Sequence, residues 1–192
     1  MSSSEKLRFS ERLATFMAVK EFTLKGKQDY KLEEDIKALI SHEFVRISMG
    51  MNDYLGQDFE QFIIYNHPFA TPKYKFLHTL ELYHEDGVII LSKPDLIKGF
   101  QNKAGFLNLA LFAAISAFIS MNPRAHYPEL KHIDESQLET TFNIEFEAIK
   151  KALGFDWLNK LNVLIYCFFE FPRIFETTFP KEFFSLQSIF ND

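Results

Sequence analysis

Six histidines, one cysteine and the carboxylates around them are where this chain of 192 residues could do chemistry. His42-Glu43-Phe44-Val45-Arg46 begins like His-Glu-x-x-His, in which two imidazoles one helical turn apart hold zinc and the glutamate activates a metal-bound water. The second ligand position here is Arg46, whose guanidinium stays protonated and offers no lone pair. The pattern fails where the metal needs it. The cluster reads as a partly exposed helix face with a local His, Glu and Arg group; the alternative is a relocated metal site, with further donors brought to His42 and Glu43 by folding.

His126 and His132 flank Glu129, near Asp134 and Glu135, and make a second set of potential ligands. Loop histidines without close ligand spacing are more often solvated. His84-Glu85-Asp86 suits a turn, while His67 and His78 lie in or beside expected strands with no partner visible in the sequence. Cys167 has no second cysteine to pair with, and in its aromatic-rich segment a buried, inert thiol is expected. No Gly-x-Ser-x-Gly elbow occurs, and seven glycines are scattered singly instead of forming a phosphate loop.

The element that must organise these residues is centred on Asn108-Leu-Ala-Leu-Phe-Ala-Ala-Ile-Ser-Ala-Phe-Ile119. It lies in an 18-residue run, 104–121, without a charged side chain. Alanine and leucine favour helix, and a helix apolar nearly all round belongs in a core. The run approaches the length of a membrane span, but Asn108, Ser116 and Ser120, with no flanking basic cluster, favour the buried reading.

Before this run, residues 2–22 read as one helix and 31–49 as a second, with Ile36, Leu39, Ile40, Phe44 and Ile47 at inward spacing and Gly50 as its stop. Residues 59–65, 75–83 and 88–92 are rich in aromatic and branched side chains and predict strands. Asp86-Gly87 would join the last two as an antiparallel hairpin. Pro94 suits the first turn of a short helix to residue 100. After a loop over 123–133, one long helix is expected over 134–153, another over 156–170, and short ones from Pro172 and Pro180. With no repeat or linker, the expectation is a single α+β domain over 1–192, mainly helical, with a small, largely antiparallel sheet around a buried central helix.

Composition limits the partners. Hydrophobic residues make up 47% and charged residues 24%, as in globular proteins, and 23 phenylalanines against one tryptophan call for an aromatic core. A net charge of −5 and no basic face argue against nucleic acid. Met1-Ser-Ser-Ser-Glu-Lys lacks the apolar segment of a secretory signal. A cytoplasmic protein that does not enter a membrane is expected.

In order and texture the chain resembles the family of Mlc titration factor A, the glucose-regulated zinc metallopeptidases. Phe16-Met-Ala-Val-Lys-Glu-Phe22 is similar to that family's first-helix phrase, and Phe62-Ile-Ile-Tyr65 with Pro72 to its first strand and exit. Val88-Ile-Ile-Leu-Ser92 with Asp95 and Gly99, Phe168-Phe-Glu-Phe-Pro172 and Phe179-Pro-Lys-Glu-Phe-Phe184 resemble later phrases in the same order.

The resemblance implies a zinc-metallopeptidase-like fold whose buried helix would carry Asn-Val-Val-Leu-His-Glu-Phe-Ala-His. Laid on Asn108-Leu-Ala-Leu111, that phrase puts Phe112 at the first histidine, Ala113 at the catalytic glutamate and Ser116 at the second histidine. The segment supplying the remaining ligand falls on 159–166, so that Asn159 and Tyr166 stand where the family has glutamates. A zinc site needs several lone-pair donors converging at about 2.0–2.3 Å, and these side chains do not supply them. The implied protein has no cofactor and no catalytic residue. It is a degenerate, inactive homologue that acts by binding a protein, a transcriptional regulator on the family's precedent. The alternatives are a small-molecule binding module in the remnant cleft and the relocated hydrolase at His42.

Overall fold

The computed structural model describes residues 2–26, 30–101 and 106–191. Helix α1, Ser3–Val19, begins with a reciprocal cap: the Glu5 amide donates to Ser2 Oγ, and the Ser2 amide donates to the Glu5 carboxylate. The helix ends earlier than expected. Lys20 is extended, and Glu21–Leu24 form strand β1, where the sequence pattern predicted helix to residue 22. Pairing overrides helical periodicity here: the Glu21 amide bonds the Glu60 carbonyl at 2.9 Å, and Phe22 stacks on Phe62 with ring centres 4.9 Å apart.

Helix α2, Tyr30–Ile47, then carries the chain to β2, Gln61–Tyr65. Strands β3, Leu80–Tyr83, and β4, Val88–Ser92, complete a sheet of order β1-β2-β4-β3. The β3–β4 hairpin is antiparallel as expected, but β1–β2 and β2–β4 are parallel, so the sheet is mixed and not largely antiparallel. The unforeseen β1 adds one parallel pair, the crossover through α2 returning β2 in the same direction, and β4, inserted between β2 and β3, adds the other. Strand β3 is also shorter than the predicted 75–83. Before Leu80 there is one isolated bridge, Phe69 to His78.

Helix α3, Lys93–Phe100, leads to α4, Leu109–Met121, the buried helix. Asn108 caps it by accepting the Leu111 amide at 3.1 Å. Of the apolar run that contains it, residues 104 and 105 fall outside the described residues. Among the described residues no helix is long and apolar enough to cross a membrane.

The expected helix 134–153 is two helices, α5 (Glu135–Phe142) and α6 (Phe146–Leu153). Asn143 adopts a left-handed conformation, φ 51°, and the Ile144 amide turns back to the Glu139 carbonyl. Asparagine is among the few non-glycine residues that enter this region readily. Helix α7, Lys160–Glu170, starts later than predicted, capped by Asn159, whose Oδ1 accepts the Leu161 amide at 2.9 Å. Helices α8 (Pro172–Thr178) and α9 (Pro180–Phe190) each open on a proline. The phenylalanines form the core as the composition implied: Phe16, Phe44 and Phe62 meet under the sheet, and Phe142 stacks on Phe171, Phe175 and Phe179. Each fully buried ring stabilises the fold by about 1.5–3 kcal/mol.

Candidate binding cleft

Strand β3 is the edge of the sheet, and its hydrogen-bond parity determines what that edge offers. The Ser92 amide donates to the Thr79 carbonyl at 2.9 Å, and Leu80 is opposite Leu91. In an antiparallel ladder the bonding residues alternate, so Glu81 exchanges its backbone bonds with Ile90. The amides and carbonyls of Leu80 and Leu82 turn outward, and nothing among the described residues pairs with them.

The end of α6 holds the start of this edge in place. The Thr79 amide bonds the Leu153 carbonyl at 3.0 Å, and the Thr79 hydroxyl donates to the Ala152 carbonyl at 2.9 Å. Gly154, at φ +82°, makes the approach possible, because a Cβ there would meet the Leu77 carbonyl oxygen at 2.5 Å and the His78 Cα at 2.7 Å.

Between this edge, α4 and the α6–α7 connection lies a cavity of about 320 Å³. Phe112, Ser116 and Ile119 of α4 form one side, with Leu153, Phe155, Trp157 and Leu158 opposite. Asn159 and Asn162 add amides at the α7 end, and Lys73 and Tyr74 lie at the β3 side.

Of the five positions that the resemblance singled out, the structure brings three, Phe112, Ser116 and Asn159, into one cleft. Ala113 does not join them: it is fully buried in the core. Tyr166 is buried too, its ring centre 6.3 Å from that of Phe112 and its hydroxyl accepting the Asn108 amide at 3.1 Å. Burial pushes the Tyr166 hydroxyl well above its ordinary pKa.

These residues do not fit zinc. Phe112 and Ala113 have no lone pair to give. Ser116 Oγ is already occupied, donating to the Phe112 carbonyl at 2.8 Å and accepting from Asn162 Nδ2 at 2.7 Å. Among the described residues no three His, Cys, Asp or Glu side chains are grouped so as to hold a metal.

The His42 cluster is the partly exposed helix face the sequence suggested, with His42 and Arg46 half-exposed and Glu43 beneath them. Glu43 is buried, and both its oxygens are used: His42 Nδ1 lies 3.2 Å and Asn108 Nδ2 3.1 Å from Oε1, and Arg46 Nη1 donates to Oε2 at 3.1 Å. Arg46 also reaches the Glu170 carboxylate at 2.9 Å and the Phe169 carbonyl. Burial raises the Glu43 pKa, but the His42 hydrogen bond, the Arg46 charge and the Asn108 hydrogen bond outweigh it and hold the carboxyl below its ordinary value. For Arg46, burial opposes the charged form, and Glu43 and Glu170 more than compensate. The cluster ties α2 to the α4 cap and to the end of α7. Among the described residues, the further donors a relocated metal site would need are not gathered at His42.

The other candidates are dispersed. His132 Nε2 pairs with Glu182 at 2.8 Å, the His126 carbonyl accepts from Ser185, and His84 reaches Asp58 at 3.3 Å. Cys167 is buried, and desolvation raises its thiol pKa.

Sequence reasoning missed one pair. His78 and Glu81 are both buried: Nδ1 donates to the Phe76 carbonyl at 2.9 Å, and Nε2 meets Glu81 Oε2 at 2.9 Å. A continuous strand over 75–83 would place residues 78 and 81 on opposite faces, so only the irregular backbone before Leu80 brings them together.

The sequence matches no protein-family model and no curated protein.

Proposed function

We propose that the protein is a non-catalytic binding domain that takes an extended segment of a protein partner along the outward edge of β3. The observation that carries this is the coincidence of unpaired backbone groups at Leu80 and Leu82 with a mostly apolar cavity directly beside them. Strand addition draws affinity from main-chain hydrogen bonds and specificity from pockets that receive alternate side chains. Both components are present: an edge whose free groups are two residues apart, and a pocket lined by Phe112, Leu153 and Leu158.

The same cleft supports an inactive member of the metallopeptidase family that the sequence resembles. Phe112 and Ser116 stand at two histidine positions, line the cleft and cannot bind zinc there. Phe112 fills space a metal and its water would need, and apolar replacement removes the cost of burying unsatisfied ligands. A transcriptional regulator as the partner follows from the resemblance alone.

Binding of fluorescent heptapeptides with alternating apolar residues, measured by anisotropy, tests this. Such a peptide should bind without being cut, with or without added zinc, and its backbone N-methylated counterpart should not bind. Equal binding of the two would favour a small-molecule pocket over strand addition. Zinc at one per chain with peptide turnover would overturn the inactive reading.

A further inference from the structure

We infer that the segment bound in the cleft presents a carboxylate to Lys73; the inference rests on the strand-addition reading above. Of the residues lining the cavity, Lys73 and Glu81 are ionisable carboxylate or ammonium groups, and their charges are placed very differently.

Glu81 is committed. The Phe76 carbonyl can only accept, so the hydrogen on His78 Nδ1 is accounted for, and one proton lies between His78 Nε2 and Glu81 Oε2, 2.9 Å apart. Whether that proton sits on nitrogen or oxygen, the pair carries no net charge. Glu81 Oε1 is buried without a hydrogen-bond partner, and the Glu81 side chain, 1% exposed, is on the sheet face it shares with Tyr83.

Lys73 is not committed. Among the described residues it forms no ion pair, yet it is held in place. The Thr71 amide bonds the Tyr74 carbonyl at 2.9 Å and the Tyr74 amide bonds Thr71 Oγ1 at 3.1 Å, closing a turn around Pro72 and Lys73. The Lys73 ammonium lies 5.0 Å from the Tyr74 ring centre and 5.7 Å from that of Tyr83. Aromatic faces attract a cation without neutralising it. The cleft of a chain with net charge −5 therefore has an uncompensated positive charge at its β3 side. The neutral polar side chains of Ser120, Asn159 and Asn162 are elsewhere in the same lining and offer a ligand no cation to compete with it.

The carboxylate could belong to an aspartate or glutamate side chain or to a free C-terminus. The probes are heptapeptides of alternating valine and threonine with one central glutamate, the matching glutamine peptides, and each with free or amidated C-termini. Anisotropy titrations are made against the full chain, Lys73→Gln and Lys73→Arg. A glutamate peptide that binds about three- to fivefold more tightly than its glutamine twin is the size expected for a partly exposed ion pair. The preference should vanish in Lys73→Gln, persist in Lys73→Arg and shrink at about 1 M salt. A preference that follows the free C-terminus instead supports the same inference and identifies the terminal group. Equal binding of all four peptides overturns the carboxylate inference while strand addition stands. No binding by any peptide removes the strand-addition reading and the inference together.

Discussion

Two polar regions adjoin the N-terminal half of α4, and they differ in what is left unpaired. Around Glu43, each carboxylate oxygen has a partner, Arg46 joins two carboxylates and a carbonyl, and Asn108 ties the group to the helix cap. Around Phe112 and Ser116, the side-chain hydrogen bonds close on themselves, while among the described residues the outward Leu80 and Leu82 backbone groups have no partner and Lys73 forms no ion pair. The residue set resembling a catalytic motif belongs to the first region, where both Glu43 oxygens are taken up within the protein. The second region, where we propose that a ligand binds, keeps no such motif.

If the first region is structural, the largest effect should come from breaking it. Glu43→Ala leaves Arg46 with Glu170 as its one remaining carboxylate, strands the Asn108 amide, and should cost about 2–3 kcal/mol in urea unfolding. Replacing both partners, Glu43→Leu with Arg46→Met, should recover most of that loss, since a well-packed apolar pair is often no worse than a buried ion pair.

The cleft should be more forgiving of bulk and less forgiving in binding. Phe112→Trp extends into open space and should change stability by less than about 1.5 kcal/mol, while peptide affinity falls tenfold or more. Ser116→Ala should cost about 1 kcal/mol, because it strands the Asn162 amide, and should leave binding within about twofold.

Acid provides a third contrast. The native pKa of Glu43 lies below its unfolded value, about 4.3, so its contribution is fully present above that pH and is lost as pH falls toward the lowered native value. The urea midpoint of the native chain should fall between about pH 5 and pH 3, and Glu43→Gln should show a smaller fall over the same window. The smallest effect is expected at the α5–α6 break. Asn143→Gly should leave stability within about 0.5 kcal/mol or raise it slightly, because glycine enters the left-handed region without strain.

Much of the frame was legible because long apolar patterns have one good solution. The uncharged run gave α4 as a buried helix, and Asp86-Gly87 gave the β3–β4 hairpin. Strand β1 was not legible: Glu21 and Phe22 continue the helical pattern of α1, and only pairing with β2 makes Glu21–Leu24 a strand. The cleft was half legible. Phe112, Ser116 and Asn159 were singled out and do lie together, whereas Ala113 and Tyr166 are turned into the core. Lys73 and the His78–Glu81 pair gave no signal, because both depend on the course of an irregular loop around the sheet edge.

The most direct measurement is residue-resolved amide hydrogen exchange across β3, with and without the alternating heptapeptide. At peptide a hundredfold above its Kd, the outward amides of Leu80 and Leu82 should exchange roughly a hundredfold more slowly, while the Glu81 amide, already bonded within the sheet, should change little. Unchanged exchange at Leu80 and Leu82 under saturating peptide, or cleavage of the peptide during the experiment, would contradict a non-catalytic strand-addition cleft.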